Sequence, residues 1–282
     1  MQAGQIKAIG AAFDMEWNAS PCIIEDKIIT LASDFTGHKK YNPYDGYGVY
    51  DGSRRKQPLY LKFASIDKND HEAMRQFVSD FGFLGLITHM DNPSKQAHEY
   101  YSKVFEFIPD IQKEIHIMRS LVEMKKAIDE GIDPVVKSCL NVLMDETQDD
   151  TNIFWMQEKT SDKVNYALAA LKIQQVINKY LKYTTPKIKY SVNKHLVHKT
   201  GDYFSGTWES KSLLSAMYTM FYLDLTLGKF YKVCENRNCG NWFDVSSNED
   251  KKQNFCSPEC ASRERQRRYR EEFKKKKDKK GE

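Results

Sequence analysis

The apolar positions change period along the chain. Residues 21–63 carry two β-prone stretches, CIIEDKIITLA and PLYLKFASI, separated by the turn-rich loop YNPYDGYGVYDGSRRKQ. From Asp70 the spacing becomes helical: in DHEAMRQFVSDFGFLG, Met74, Phe77, Phe81 and Leu84 share one face, and Gly82 and Gly85 close the segment. The stretch from Asn92 to Gly131 predicts a long helical run, with Ser94 as a cap, Pro109 as a kink or break and Gly131 as a stop. DPVVKSCLNVLMDE and SDKVNYALAALKIQQVINKYLKY continue the helical pattern, with Asp133 and Ser161 as caps. PKIKYSVNKHLVHKTGDYFSGTW reads as irregular or partly extended, and ESKSLLSAMYTMFYLDLTLGK as a buried helix ending at Gly228. No internal repeat is present. The pattern predicts an α+β, predominantly α-helical protein. An N-terminal α+β segment (1–90) precedes a helical body (91–230), a four-cysteine module (231–262) and a basic helix and tail (263–282).

Length and composition fit that picture. With 282 residues, 40% apolar and 29% charged, the chain can bury a sizeable core. The first residues lack the basic-then-apolar pattern of a secretory signal. The longest apolar run, Leu213 to Leu227, contains Asp224 and falls short of the ~18 residues that span a bilayer. The expectation is a soluble cytoplasmic protein with no membrane partner.

Charge adds an asymmetry. The net +4 divides into 15 Lys/Arg against 10 Asp/Glu from Tyr231 onward (+5), and 28 against 29 before it (−1). A basic C-terminal segment on a near-neutral body points to a polyanionic partner.

The same segment holds four of the six cysteines, spaced Cys234-x4-Cys239-x16-Cys256-x3-Cys260. Two close pairs joined by a spacer long enough to fold back are what a tetrahedral thiolate site requires, and a reducing compartment disfavours disulfides. ENRN is turn-prone, NWFDV reads as a strand and SSNEDKKQ as a polar turn. In SPEC, Ser257 suits the N-cap and Pro258 the first helical position, placing Cys260 in the first turn of a helix. Knuckle, hairpin and helix with ligands at each end make a treble-clef-like arrangement. A closed four-thiolate shell leaves no open position for substrate, so zinc here is structural and no catalytic residue is expected. Cys22 and Cys139, in apolar surroundings, read as core residues.

The stretch from Cys234 to Arg270 resembles the CGNR-type zinc finger of bacterial proteins. The resemblance rests on the cysteine pairs, on Gly240-Asn241-Trp242-Phe243-Asp244 after the first pair, and on Arg267-Arg268-Tyr269-Arg270 in the following helix. After the last cysteine the chain reads Ala261-Ser262-Arg263, keeping only the arginine of the family's Gly-Asn-Arg. The resemblance covers about 60 residues, includes the helix leading into the finger, and implies a transcriptional regulator that binds DNA.

On a helix over 261–280, Arg263, Arg267, Arg270, Lys274 and Lys277 form one basic stripe. Beside it run Ser262, Gln266, Tyr269 and Phe273, placed to pack back on the finger. Arg263, Arg267, Arg268 and Arg270 are the candidate contacts to phosphates or bases, with Lys274 and Lys277 adding attraction. The pairs Glu264–Arg268, Glu271–Lys275 and Glu272–Lys276 stabilise the same helix without any partner.

Weaker signals lie elsewhere. Tyr41, Tyr44, Tyr47 and Tyr50 alternate with Lys39, Lys40, Arg54, Arg55 and Lys56, as in a stacking platform for single strands or a structured turn packed on the body. His71-Glu72 and His98-Glu99 lack the second histidine of a zincin, and His195 and His198 lack a nearby carboxylate. The sequence therefore predicts a zinc-containing DNA-binding regulator, not an enzyme, whose helical body senses an unidentified small-molecule effector or forms homo-oligomers. A protein-interaction or RNA-binding protein, for example in a defence system, is the alternative.

Overall fold

The computed structural model describes residues 15–32, 37, 39–44, 57–86, 105–147, 166–190, 204–246 and 252–278. Four short strands, β1 (Trp17–Ala19), β2 (Cys22–Glu25), β3 (Ile28–Leu31) and β4 (Lys39–Tyr41), precede helices α1 (Leu59–Ala64) and α2 (His71–Phe81). Strand β5 (Phe105–Phe107) runs directly into α3 (Ile108–Glu130), followed by α4 (Asp133–Glu146) and α5 (Tyr166–Leu181). Strands β6 (Thr184–Tyr190) and β7 (Phe204–Ser210) lead to α6 (Leu213–Thr226). Next come β8 (Tyr231–Val233), β9 (Trp242–Asp244) and α7 (Pro258–Asp278).

Helix α3 is the spine. Ile111, Ile115, Met118 and Val122 recur along one face and are all buried. Gly131, at φ +69°, ends the helix, and the Ile132 N–H reaches back to the Ala127 carbonyl at 2.9 Å, so α4 folds back along α3. Helix α6 lies against α1 and α5, and every residue from Leu213 to Phe221 is buried. It therefore shows no polar face in sequence. A capping box between Ser212 and Ser215 starts it, and Gly228, at φ +62°, follows its end. Among the described residues no helix is long and apolar enough to cross a membrane.

The sheets are small and antiparallel. Strand β1 pairs with β4, β3 lies between β2 and β5, β6 pairs with β7, and β8 pairs with β9. The predicted extended stretch CIIEDKIITLA is the β2–β3 hairpin, and the partly extended PKIKYSVNKHLVHKTGDYFSGTW contributes β6 and β7.

Four local expectations give way. PLYLKFASI is helix α1, not a strand: Leu59, Tyr60, Leu61, Phe63 and Ala64 are buried on several sides, and a short apolar run carries no period that separates strand from helix. Phe105–Phe107 form a strand against Ile28–Thr30, so Pro109 sits in the first turn of α3 and does not kink it. Asp133 is the first residue of α4, with Ile132 at the cap. Leu84 lies beyond α2, because Gly82 turns the chain at φ +85° where a Cβ would stand 2.2 Å from the Asn18 carbonyl oxygen. Ser94 and Ser161 lie outside the described residues.

Two buried acidic groups are well paired. The Glu106 carboxylate accepts the backbone N–H groups of Leu84, Gly85 and Leu86 at 2.9, 2.6 and 3.1 Å, fixing the loop after α2. The Tyr180 and Tyr218 rings stack at 3.9 Å, and their hydroxyls donate to the two oxygens of Glu114 at 2.6 and 3.3 Å.

Candidate metal centre and basic helix

The cysteine module is assembled from a hairpin and the start of a helix. Strands β8 and β9 pair with Val233 opposite Trp242, and the Cys234 N–H extends that ladder to the Asn241 carbonyl at 2.9 Å. Between them the predicted ENRN turn closes: Cys239 N–H donates to the Asn236 carbonyl at 2.8 Å and Asn238 N–H to the Asn236 side-chain oxygen at 3.0 Å. Gly240 takes φ +61° to leave the turn. The other half comes from α7, where Ser257 caps the helix by accepting the Cys260 N–H at 3.3 Å and Pro258 opens it.

Two contacts lock the halves together. The Asn236 side-chain amide donates to the Cys260 carbonyl at 3.1 Å, and the Glu235 N–H donates to the Asn254 carbonyl at 2.9 Å. Asn236 is buried. Its role is invisible in the sequence beyond its place in a turn-prone tetrapeptide.

The sulfurs of Cys234, Cys239, Cys256 and Cys260 all lie within 4.8 Å of one another. Cys239 and Cys256 sulfurs stand 3.6 Å apart, and those of Cys256 and Cys260 3.5 Å. A tetrahedron of thiolates at the usual zinc–sulfur length of about 2.3 Å has edges of about 3.8 Å, whereas a disulfide measures about 2.05 Å. All four cysteines are free thiols, in a cluster sized for one metal ion. The Cys256 N–H points at the Cys234 sulfur at 3.4 Å, the kind of donor that orients a thiolate ligand.

The protonation pattern is uneven. Burial and hydrogen bonds to neighbouring thiols push Cys256 up, and burial also raises Cys239. Burial opposes ionisation of Cys260 as well, but hydrogen bonds from Cys256 and Ser257 outweigh it and lower that thiol. Ionisation is thus favoured at Cys260 over Cys239 and Cys256, whose protons a bound metal would displace. Cys22 and Cys139 are buried in the body, and burial pushes their thiols up to about 11 and about 12, as expected of inert core residues.

Helix α7 continues for 21 residues, about 31 Å at helical rise. Its first two turns are anchored by Cys260 and by Glu264, both buried. Hydrogen bonds from Arg267, with support from Arg268, hold the Glu264 carboxyl down at about 2. Arg267 also binds Glu271, so this arginine of the predicted stripe is engaged within its own helix. The predicted Glu264–Arg268 pair is present at 3.1 Å. Arg263, Arg265 and Arg270 are exposed, with no ion pair among the described residues. The Lys274 and Lys277 side chains lie outside the described residues.

One expectation for this helix fails. Tyr269 is 70% and Phe273 61% exposed, so neither packs back on the finger. Beyond Glu264, every residue of the helix through Phe273 except the half-buried Arg267 is exposed.

The other sequence candidates resolve differently. Tyr44 is buried with its hydroxyl 2.7 Å from the Ser210 Oγ, and the half-buried Tyr41 donates to the Phe81 carbonyl at 2.5 Å. Both pack on the body, while Tyr47, Tyr50, Arg54, Arg55, Lys56, His98, His195 and His198 lie outside the described residues. His71 opens α2 with its Nε2 3.3 Å from the Gln112 side-chain nitrogen. Among the described residues the four cysteines are the one group placed to hold a metal.

No protein-family model, curated protein or solved structure matches this chain.

Proposed function

We propose that the protein binds nucleic acid, with DNA the preferred ligand, through α7, and that a structural zinc ion in a treble-clef-like module holds that helix out from the body. The observation that carries the reading is the anchoring of α7 at Cys260 and Glu264 while Arg263, Arg265 and Arg270 stay exposed. A rigid rod with free guanidinium groups suits phosphate contact or entry into a major groove. Arg267 and Arg268 then serve chiefly to brace the helix through Glu264. Thiolate-only ligands in a tetrahedral cluster favour zinc over harder ions. The resemblance of Cys234–Arg270 to the CGNR-type finger supports a bacterial transcriptional regulator, with the helical body as its sensing or oligomerising part.

The test is fluorescence anisotropy of the zinc-loaded chain with a generic DNA duplex across a salt series. Binding should weaken steeply as salt rises, and Arg263→Gln/Arg265→Gln/Arg270→Gln should lower both the affinity and the salt slope. That triple variant leaves the Glu264 pairs and all four cysteines intact. An unchanged affinity in the variant, or no binding at low salt, would sink the reading.

A protein partner is the second reading, favoured by the exposed Tyr269 and Phe273 one helical turn apart. Replacing both by alanine should leave a DNA-binding helix its salt slope, whereas it should abolish capture of a protein partner. An RNA hairpin in the same titration separates the two nucleic acids.

A further inference from the structure

Helix α7 carries a second feature beside its guanidinium groups. Tyr269 is 70% and Phe273 61% exposed, one helical turn apart on the same side. Phe273 lies nine residues after the buried Glu264, about two and a half turns, so its side of the helix faces away from the anchored one.

The two rings are isolated among polar groups. Arg265 stands one turn before Tyr269 on one flank, and Arg263 and Arg270, seven residues apart, run along the other, all exposed. A helix that docks into a protein groove repeats apolar anchors at three- and four-residue steps along its length. Here Ser262 and Gln266 occupy the earlier steps of that row. Flat rings flanked by guanidinium groups match instead a platform on which nucleobases stack while their phosphates are neutralised.

Paired bases cannot use such a platform. In a duplex each base face is covered by the next pair, and the major groove offers a ring only polar edges and the thymine methyl. An unpaired base exposes both faces. Four residues of helix rise about 6 Å. That is close to the ~7 Å one base needs between two rings, twice the stacking repeat of about 3.4 Å.

We propose that Tyr269 and Phe273 are a stacking site for unpaired nucleobases, giving α7 an affinity for single strands that a duplex does not share. This rests on the reading of α7 as a nucleic-acid-binding helix and specifies which strands the helix takes.

The test is fluorescence anisotropy of the zinc-loaded full chain with labelled oligothymidylate, oligouridylate of the same length and a DNA duplex, each across a salt series. Tyr269→Leu/Phe273→Leu keeps apolar, helix-forming side chains but removes both aromatic faces. It should raise the Kd for oligothymidylate about tenfold or more, while the duplex Kd stays within twofold. The slope of log K against log salt should not change, because no charge is lost. Tyr269→Trp/Phe273→Trp should bind single strands at least as tightly as the natural chain. The strand with the larger leucine effect, thymidylate or uridylate, identifies the sugar the site takes. Both positions are exposed, and zinc content and far-UV circular dichroism check each fold.

Arg263→Gln/Arg265→Gln/Arg270→Gln separates the two readings. If that variant weakens every probe but the leucine variant binds single strands like the natural chain, the stacking site is overturned and the nucleic-acid reading stands. A ring face kept for a protein partner would give that result. No binding of any probe at low salt overturns both. An equal leucine effect on the duplex means that the rings wedge between paired steps, and overturns the assignment to unpaired bases.

Discussion

The Glu264 carboxylate is buried between two exposed arginines, Arg263 and Arg265, and accepts the Arg267 guanidinium at 2.9 and 2.5 Å. A helix this rich in like charge repels itself. Here one buried carboxylate in the second turn fastens it where it leaves the module. The cap at Ser257 and the thiol of Cys260 lie one turn earlier.

Glu264→Gln is expected to loosen that attachment without unfolding the body. The amide cannot hold two guanidinium groups as a carboxylate does. Backbone amides of residues 260–270 should exchange hydrogen faster, while those of α3 and α6 should not change. Hydrogen-exchange mass spectrometry reads both regions at once. Equal protection of α7 in the two proteins would show that Glu264 is not its anchor.

Metal removal should act on the same region. Cobalt bound to the chain should show the intense visible absorption of a tetrahedral thiolate site, and zinc should displace it at one equivalent. A chelator should then remove helical signal comparable to α7, because ~10–16 kcal/mol of metal binding energy holds a module with little core of its own. Cys256→Ser should weaken cobalt binding and shift the band, since Cys256 stands near both Cys239 and Cys260.

The four-cysteine cluster was legible because its chemistry is local: cysteine spacing, a turn-prone tetrapeptide and Ser257-Pro258 are each written within a few residues. What decides PLYLKFASI is not local. Its apolar run is buried under α3 and α6, and only that packing makes it a helix. The same holds for FEF before Pro109, which becomes a strand because Ile28–Thr30 offer it an edge. Tyr269 and Phe273 mislead in the opposite sense. Their spacing matches a packed face, but both rings are exposed. Asn236 and Asp224 each reach a partner distant in sequence, Cys260 and Tyr60, and that part of their role is not written in the residues beside them.

Glu106 links stability to pH. Burial pushes its carboxyl up to about 7 from 4.5, against the opposing pull of three backbone N–H donors. A carboxyl raised in the folded state contributes stability that is complete below its unfolded value and is lost as pH rises through about 7. The protein should therefore lose stability between pH 5 and pH 8, by at most about 1.4 kcal/mol per pH unit from this group. Glu106→Gln should remove that slope. Urea unfolding of both proteins at four pH values provides the check, and parallel curves would assign the pH dependence elsewhere.

Asp224 and Lys229 offer the sharpest energetic test, because their ion pair is buried where α6 passes into the cysteine module. Removing only the carboxylate, in Asp224→Ala, takes the ion-pair partner from a buried ammonium and the acceptor from Tyr60 and Tyr231. That should cost about 3–5 kcal/mol in urea unfolding. Tyr60→Phe deletes one donor to a charged acceptor and should cost about 1.5–3 kcal/mol. The double change Asp224→Leu/Lys229→Met replaces both charges with apolar groups, so it should be less damaging than Asp224→Ala alone. The comparison separates two kinds of cost: the penalty for an unpaired charge disappears in the double variant, whereas the lost tyrosine hydrogen bonds remain. If the double variant is as unstable as Asp224→Ala, the tyrosine contacts and not the ion pair hold the module against α6.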